Sequence, residues 1–286
     1  MRTEKEMMDL LLKVAQKEER IRFVTLEGSR ANPAIPDDPY KDYDVSYFVP
    51  DVAAFRANEE WLEVFGPRFM MQKPEESTLY PATLGNWFSY LMLFEDGNRI
   101  DLKLIPLREL ADYFAKSDGL VKVLLDKDQR LEEPIIPTDK EYWIKPPTQK
   151  NYEDCSNEFW WISTYVAKGL ARKEFLYAAD YLHQYLRPVL LKMMAWEIGA
   201  REGYTFSLGK QYKFLEPHVK EDDWQTLLST FQTDSYQHLF NALIQCQELF
   251  RTYAKKVAVT FSFPYPDYDE KITPFIQELN QEYSKK

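Results

Sequence analysis

Several function classes need features that this chain has little of. No basic run occurs in its 286 residues, and the formal net charge is −10. A protein that wraps a nucleic-acid backbone carries a basic face, so nucleic acid is not an expected partner, and polynucleotide end-addition is not an expected activity. Cysteine is limited to Cys155 and Cys246, without CxxC or Cys/His spacing. That argues against zinc and for a reducing compartment. The three histidines, His183, His218 and His238, lie far apart in sequence. The opening MRTEKE lacks an apolar signal core. No stretch approaches the roughly 20 apolar residues of a membrane span. The expectation is a soluble, cytoplasmic protein without a membrane partner.

What is present is an ordinary globular composition, 45% hydrophobic and 29% charged, with length for about two domains. Aromatic residues reach 15%, including 7 Trp and 19 Tyr. Most belong in a core, and the surplus can line a site. The acidic balance favours cationic small molecules by long-range attraction.

Thr3 and Glu6 form a capping-box pattern, and Met7, Leu11, Val14 and Ala15 share a helical face over 3–20. Residues 21–27 (IRFVTLE) read as a strand that runs into Gly28-Ser29-Arg30. Pro33, Pro36 and Pro39 break the next stretch. Residues 43–49 (YDVSYFV) read as a second strand, and 51–65 as a helix. Residues 87–95 and 99–105 read as paired strands around Asp96-Gly97-Asn98. A helix over 107–116 and a strand over 120–125 follow. The segment 132–150 holds four prolines and reads as a linker. Beyond it the pattern is helical. Phe175, Ala178, Ala179, Leu182, Tyr185, Leu186 and Val189 keep the rhythm of a packed helix, which Pro188 is expected to kink. Segments 221–232, 235–258 and 267–283 also read as helices. The fold class is therefore α+β, a mixed sheet flanked by helices over 1–135, followed by an all-α helical bundle over 150–286.

The informative constellation is Gly28-Ser29-Arg30, eleven residues, then Asp42-Tyr43-Asp44. Alternate side chains of a strand share a face, so both carboxylates project together if the strand opens at Asp42. Paired carboxylates repel unless a cation intervenes, and Mg²⁺ takes one or two of them plus substrate phosphates. Gly28 lets backbone approach a phosphate, Ser29 adds a hydroxyl, and Arg30 adds a charged fork. Asp101 lies in the 99–105 strand, on the polar face with Arg99 and Lys103.

This order of strand, Gly-Ser, spacer, Asp-x-Asp and later Asp resembles the nucleotidyltransferase superfamily of DNA polymerase β-like fold. The stretches FVTLEGSRANP, KDYDVSYFV, GNRIDLKLIPL, LLDKD and EFWWISTYVAKGLARKEFLYAADYLHQYLRPVLLKMMAWE look like the aminoglycoside 6-adenylyltransferases, enzymes that modify streptomycin. The similarity spans nearly the whole chain. It implies an N-terminal nucleotidyltransferase domain and a C-terminal helical domain. It also implies small-molecule substrates, ATP and an aminoglycoside, with Mg²⁺ as cofactor. Asp42 and Asp44 would hold the metal. Asp101 would be a third metal ligand or the general base. Gly28, Ser29 and Arg30 would meet the phosphates. Lys41 stands where the wider superfamily has a serine.

In the helical half, Lys168 and Arg172 at i, i+4 are candidates for the triphosphate. Asp180, Glu158, Tyr177 and one ring of the Trp160/Trp161 pair are candidates for the acceptor, since carboxylates take guanidinium forks bidentately. Two other readings share these residues. One is transfer to a different small-molecule acceptor. The other is a non-catalytic, antitoxin-like nucleotide binder, against which the retention of all three acids speaks.

Overall fold

Thr3 accepts a bond from the Glu6 amide while the Glu6 carboxylate returns one to Thr3, and this box starts helix α1 (Glu4–Lys17). Met7, Leu11 and Ala15 form its buried stripe, and that stripe packs on the sheet of the first unit. In the computed structural model, which describes residues 1–284, this unit is Met1–Glu141. After α1 come β1 (Phe23–Glu27), β2 (Tyr43–Val49), α2 (Val52–Arg56), β3 (Arg68–Gln72), β4 (Phe88–Phe94), β5 (Arg99–Pro106), α3 (Leu110–Ala115) and β6 (Val121–Asp126). The sheet order is β3-β4-β5-β2-β1-β6. Only β2 and β5 pair in parallel; every other neighbouring pair is antiparallel.

Side-chain alternation gives the sheet two unlike faces. Val24, Leu26, Tyr43, Val45, Tyr47, Ile100, Leu102 and Leu104 cluster on the face under α1. On the other face Phe23, Phe48 and Ile105 pack with Leu110 and Tyr113 of α3. That cover leaves Glu27, Asp44, Ser46, Asp101 and Lys103 as a polar patch on the same face.

One local expectation is corrected, and one strand is additional. The helix expected over 51–65 is the short α2, started by the Asp51 cap, and a separate 3₁₀ segment Glu60–Phe65. Asn58 interrupts it by accepting the Glu60 amide on its own side chain, an Asx turn. Strand β3 carried no sequence signal. It is the sheet edge and leaves Phe69 and Met70 exposed, so alternation is absent.

The second unit begins at Tyr142. The segment 132–150 is divided between the two: the Thr138 amide bonds to Gly119 O (2.9 Å), and the Ile144 amide to Phe206 O (3.1 Å). Its elements are α4 (Gln149–Ala171), α5 (Phe175–Asp180), a π-helical turn (Tyr181–Leu186), α6 (Arg187–Glu202), α7 (Glu221–Ser229), α8 (Tyr236–Phe261) and α9 (Tyr268–Ser284). Phe159 of α4 stacks on Phe250 of α8 with centroids 3.8 Å apart, and Leu182, Leu190 and Met193 fill the same core. The single helix expected through 175–189 is widened at Tyr181–Leu186. Pro188, in the first turn of α6, has no N–H for the Gln184 carbonyl. The wide turn moves Tyr185 out of the packed face, leaving it 48% exposed. Among the described residues no helix is long and apolar enough to cross a membrane.

Candidate functional site

The polar patch is organised by strand register. Asp44 pairs with Glu27 across β1–β2 and with Asp101 across β2–β5. Three carboxylates thus stand in one row on three adjacent strands, and Asp42 sits one residue before β2. The chain meets this row at the turn Gly28–Arg30. Gly28 has φ +64°, and a Cβ there would lie 2.8 Å from Asp44 Oδ2. Only glycine tolerates both the conformation and the approach. Ser29 follows, half-buried in the same turn.

Arg30 does something other than expected. Its Nε and Nη2 donate to the carbonyls of Asp42 (3.1 Å) and Lys41 (2.7 Å). Its Nη1 is 3.2 Å from Glu4, and its guanidinium lies 3.8 Å over the Tyr43 ring. With its side chain 4% exposed, it clamps the end of the proline-rich loop and fixes where Asp42 enters the sheet. Its donors meet two loop carbonyls and Glu4, an arrangement that positions the loop. Lys41 pairs with Asp37 at 3.2 Å.

The acids differ in how their charge is met. Glu27 is satisfied by Lys103 and Ser46, with Thr25 at 3.2 Å. Asp101 takes both prongs of Arg99 at 2.7 Å, and the same guanidinium is 3.7 Å from Asp42. Asp44 has no hydrogen bond or ion pair among the described residues. Burial pushes its carboxyl up to about 6, Asp101 adds to the shift, and Lys103 opposes it. Burial also raises Asp42, with Arg99 opposing and Asp101 adding.

Among the described residues no three of His, Cys, Asp and Glu converge as a complete metal cage. A Mg²⁺ site needs less, one or two carboxylates with the remaining positions filled by water and phosphate oxygens. An unpartnered, partly buried Asp44 beside a glycine that leaves its oxygen open fits that requirement, with Asp42 adjacent. Asp101 is forked by Arg99 through both of its oxygens, which leaves one lone pair on each for a cation.

Sequence reasoning singled out Asp42, Asp44 and Asp101 but missed Glu27. Counting β1 by twos from Phe23 puts Glu27 on the face of Thr25, and the register then puts it beside Asp44. Arg99 and Lys103 were read as face-mates of Asp101 without partners assigned.

In the helical unit, Lys168 is exposed in the last turn of α4 with its ammonium 6.0 Å from the Phe275 ring. Arg172 is the C-cap, 3.9 Å from Glu174. Glu158 is exposed on α4, and Asp180 is exposed at the end of α5, where Gln184 bonds to it. Tyr177 is half open, its ring 4.6 Å from Tyr181. Trp160, one of the acceptor candidates, is corrected: it is 1% exposed inside the core, whereas Trp161 is 58% exposed. Phe159 and Trp160 occupy the core-facing arc of α4, and Trp161, about 100° further round, faces out. The Trp161 indole donates to Tyr165 (2.8 Å), and the Tyr165 and Tyr181 rings meet at 5.1 Å. These rings form one ladder with Tyr177 and Tyr185.

The family model described as streptomycin adenylyltransferase matches residues 1–279. The chain is 55% identical over 279 residues to an aminoglycoside 6-adenylyltransferase of Bacillus subtilis (strain 168), covering 98% of each chain. It is 47% identical over 283 residues to an aminoglycoside 6-adenylyltransferase of Campylobacter jejuni, covering 99% of this chain and 98% of that one. A crystal structure of an aminoglycoside 6-adenyltransferase from Bacillus subtilis is 50% identical, with coverage of 98% and 99% and a TM-score of 0.49.

Proposed function

The chain belongs to the streptomycin adenylyltransferase family, and from that premise we propose that it transfers AMP from ATP to an aminoglycoside hydroxyl, the 6-hydroxyl of streptomycin, in the cytoplasm. The observation that carries this reading is the unpartnered Asp44 carboxylate in register with Asp101 and against Gly28. In the proposed reaction the acceptor oxygen bonds to the α-phosphorus. The bond from that phosphorus to the oxygen leading to the β-phosphate breaks, and pyrophosphate leaves. Asp101 takes the acceptor proton or shares in holding the metal.

Asp42 and Asp44 are the residues to hold Mg²⁺, which when bound neutralises triphosphate charge and aligns the α-phosphate. Gly28 and Ser29, in the turn against Asp44, would meet phosphate oxygens through backbone and hydroxyl. A cavity of about 800 Å³, lined among others by Val123, Leu131 and Ile135, adjoins the loop after Arg30 and has room for a nucleoside. Lys168 and Arg172 supply positive charge for the triphosphate. Glu158, Asp180 and Tyr177, with Trp161 in place of Trp160, supply carboxylates and rings for the guanidinium groups of the acceptor.

The test is an acceptor panel with Mg²⁺-ATP, read by pyrophosphate release and product mass. Streptomycin should release pyrophosphate and gain one adenylyl group, while an aminoglycoside without guanidinium groups should not react. Release with the second and none with streptomycin would overturn the acceptor and leave nucleotidyl transfer standing. No release with any acceptor would overturn the transfer itself.

A further inference from the structure

We propose that Arg99 is a built-in counter-cation, which offsets part of the charge of Asp42 and Asp101 in the nucleotide-free protein and moves onto the triphosphate when Mg²⁺ and ATP bind. This rests on the nucleotidyl-transfer reading above.

Arg99 is the first residue of β5 and shares a face with Asp101. Its guanidinium forks Asp101 through Nε and Nη2, both at 2.7 Å, and presents Nη1 to Asp42 at 3.7 Å. A single planar cation therefore lies between two of the three carboxylates that the reaction needs. While it stays there, it takes a lone pair on each Asp101 oxygen and sets a positive charge beside any metal or proton those oxygens would take. Arg99 has room to leave, because its side chain is 43% exposed to solvent while Asp101 beneath it is 18% exposed.

Its backbone does not have to move with it. The preceding turn is pinned by Asn98, which donates to Asp96 at 2.9 Å and to the Arg2 carbonyl at 3.2 Å. Lys103, four residues on and on the same face, offers the contrast. It is bound to Glu27, its side chain is 24% exposed, and it meets no other carboxylate among the described ion pairs. Lys103 belongs to a fixed pair, while Arg99 spans two acids that become ligands. A guanidinium fork fits phosphate as well as carboxylate. Displacement by a divalent ion would release Arg99 beside the phosphates that arrive with that ion.

The role predicts effects of opposite sign, which a structural brace would not give. Arg99→Met is titrated with Mn²⁺ by electron paramagnetic resonance without nucleotide, and with a non-hydrolysable ATP analogue by calorimetry. Mn²⁺ should bind about 3- to 10-fold tighter than to the parent, because a competing charge is gone. The analogue should bind about 10-fold more weakly, because a phosphate fork is gone. Arg99→Lys, which keeps the charge, should leave Mn²⁺ affinity near the parent's and serves if the methionine variant folds poorly. Unchanged or weaker Mn²⁺ binding in Arg99→Met would overturn the placeholder role, and unchanged analogue binding would overturn the move to phosphate. Neither measurement uses an acceptor, so failure here is distinct from failure of the acceptor panel.

Discussion

In the helical unit, Arg251 forks Asp269 at 2.6 and 2.7 Å, with Thr273 and Tyr265 completing the carboxylate. Burial alone would raise Asp269, but these partners overcome it and hold the group below its ordinary range. Arg187, buried with no acid partner in the described ion pairs, donates to the Thr230 hydroxyl and carbonyl and to His183. In the sheet unit, Asp44 is also partly buried and has no partner among the described residues, and its carboxyl rises to about 6. Both units withdraw charge from water, but the buried Arg187 is hydrogen-bonded while Asp44 has no hydrogen bond among the described residues. A buried polar group without a partner costs stability, so such a group marks the place where a ligand is expected to supply what the chain withholds.

The sharpest way to break this contrast is Asp44→Asn. Turnover should fall by at least about 10³-fold, since a metal-binding charge is lost. The same variant in EDTA at pH 8 should be more stable than the parent by about 1–3 kcal/mol, because the desolvated charge is gone. Activity assays and urea denaturation check the two halves. A variant that loses activity and also stability would show that Asp44 is structural after all.

Asp269→Asn should behave in the opposite way. It leaves the Arg251 fork short of its acid and should cost about 2 kcal/mol by urea denaturation, with the half-exposed arginine limiting the loss. A neutral result would mean that the helical unit carries its charges as loosely as the sheet unit does.

The smallest effect is in pH. The folded Asp44 carboxyl, at about 6 against an ordinary 3.8, binds its proton more tightly than the unfolded chain does. Its contribution to stability is therefore full below about pH 4 and is lost as pH rises through 6, at up to about 1 kcal/mol per pH unit. Asp269, held low, contributes above its ordinary range and loses that contribution as pH falls. In EDTA the difference in stability between the parent and Asp44→Asn should open between pH 4 and 7. A constant difference across that window would remove Asp44 as its source.

Much of the fold could be read locally. The capping box at Thr3, the alternation in β2 and β5 and the long apolar faces of α4 and α8 are properties of neighbouring residues. Strand β3 could not be read, because an exposed edge has no alternation to detect. The wide turn at Tyr181–Leu186 could not be placed either, because Pro188 announces a disturbance without saying how the chain absorbs it. In the site, Asp42 and Asp44 were legible from a spacing of two. Glu27 was not, because its link to Asp44 exists only through the antiparallel register of β1 and β2. Trp160 and Trp161 are equivalent in sequence, and only packing against Phe159 and Phe250 separates them.

The sequence by itself determined the sheet-then-helix order, the family, and the acids Asp42, Asp44 and Asp101, because composition, periodicity and motif spacing are carried along the chain. Only the tertiary structure decided which cation meets which acid: Arg99 on Asp101, Lys103 on Glu27, Arg30 on the loop carbonyls, and none on Asp44. Those pairings depend on which strands lie side by side and in what register, and the long-range contacts that set register have no signature in local sequence.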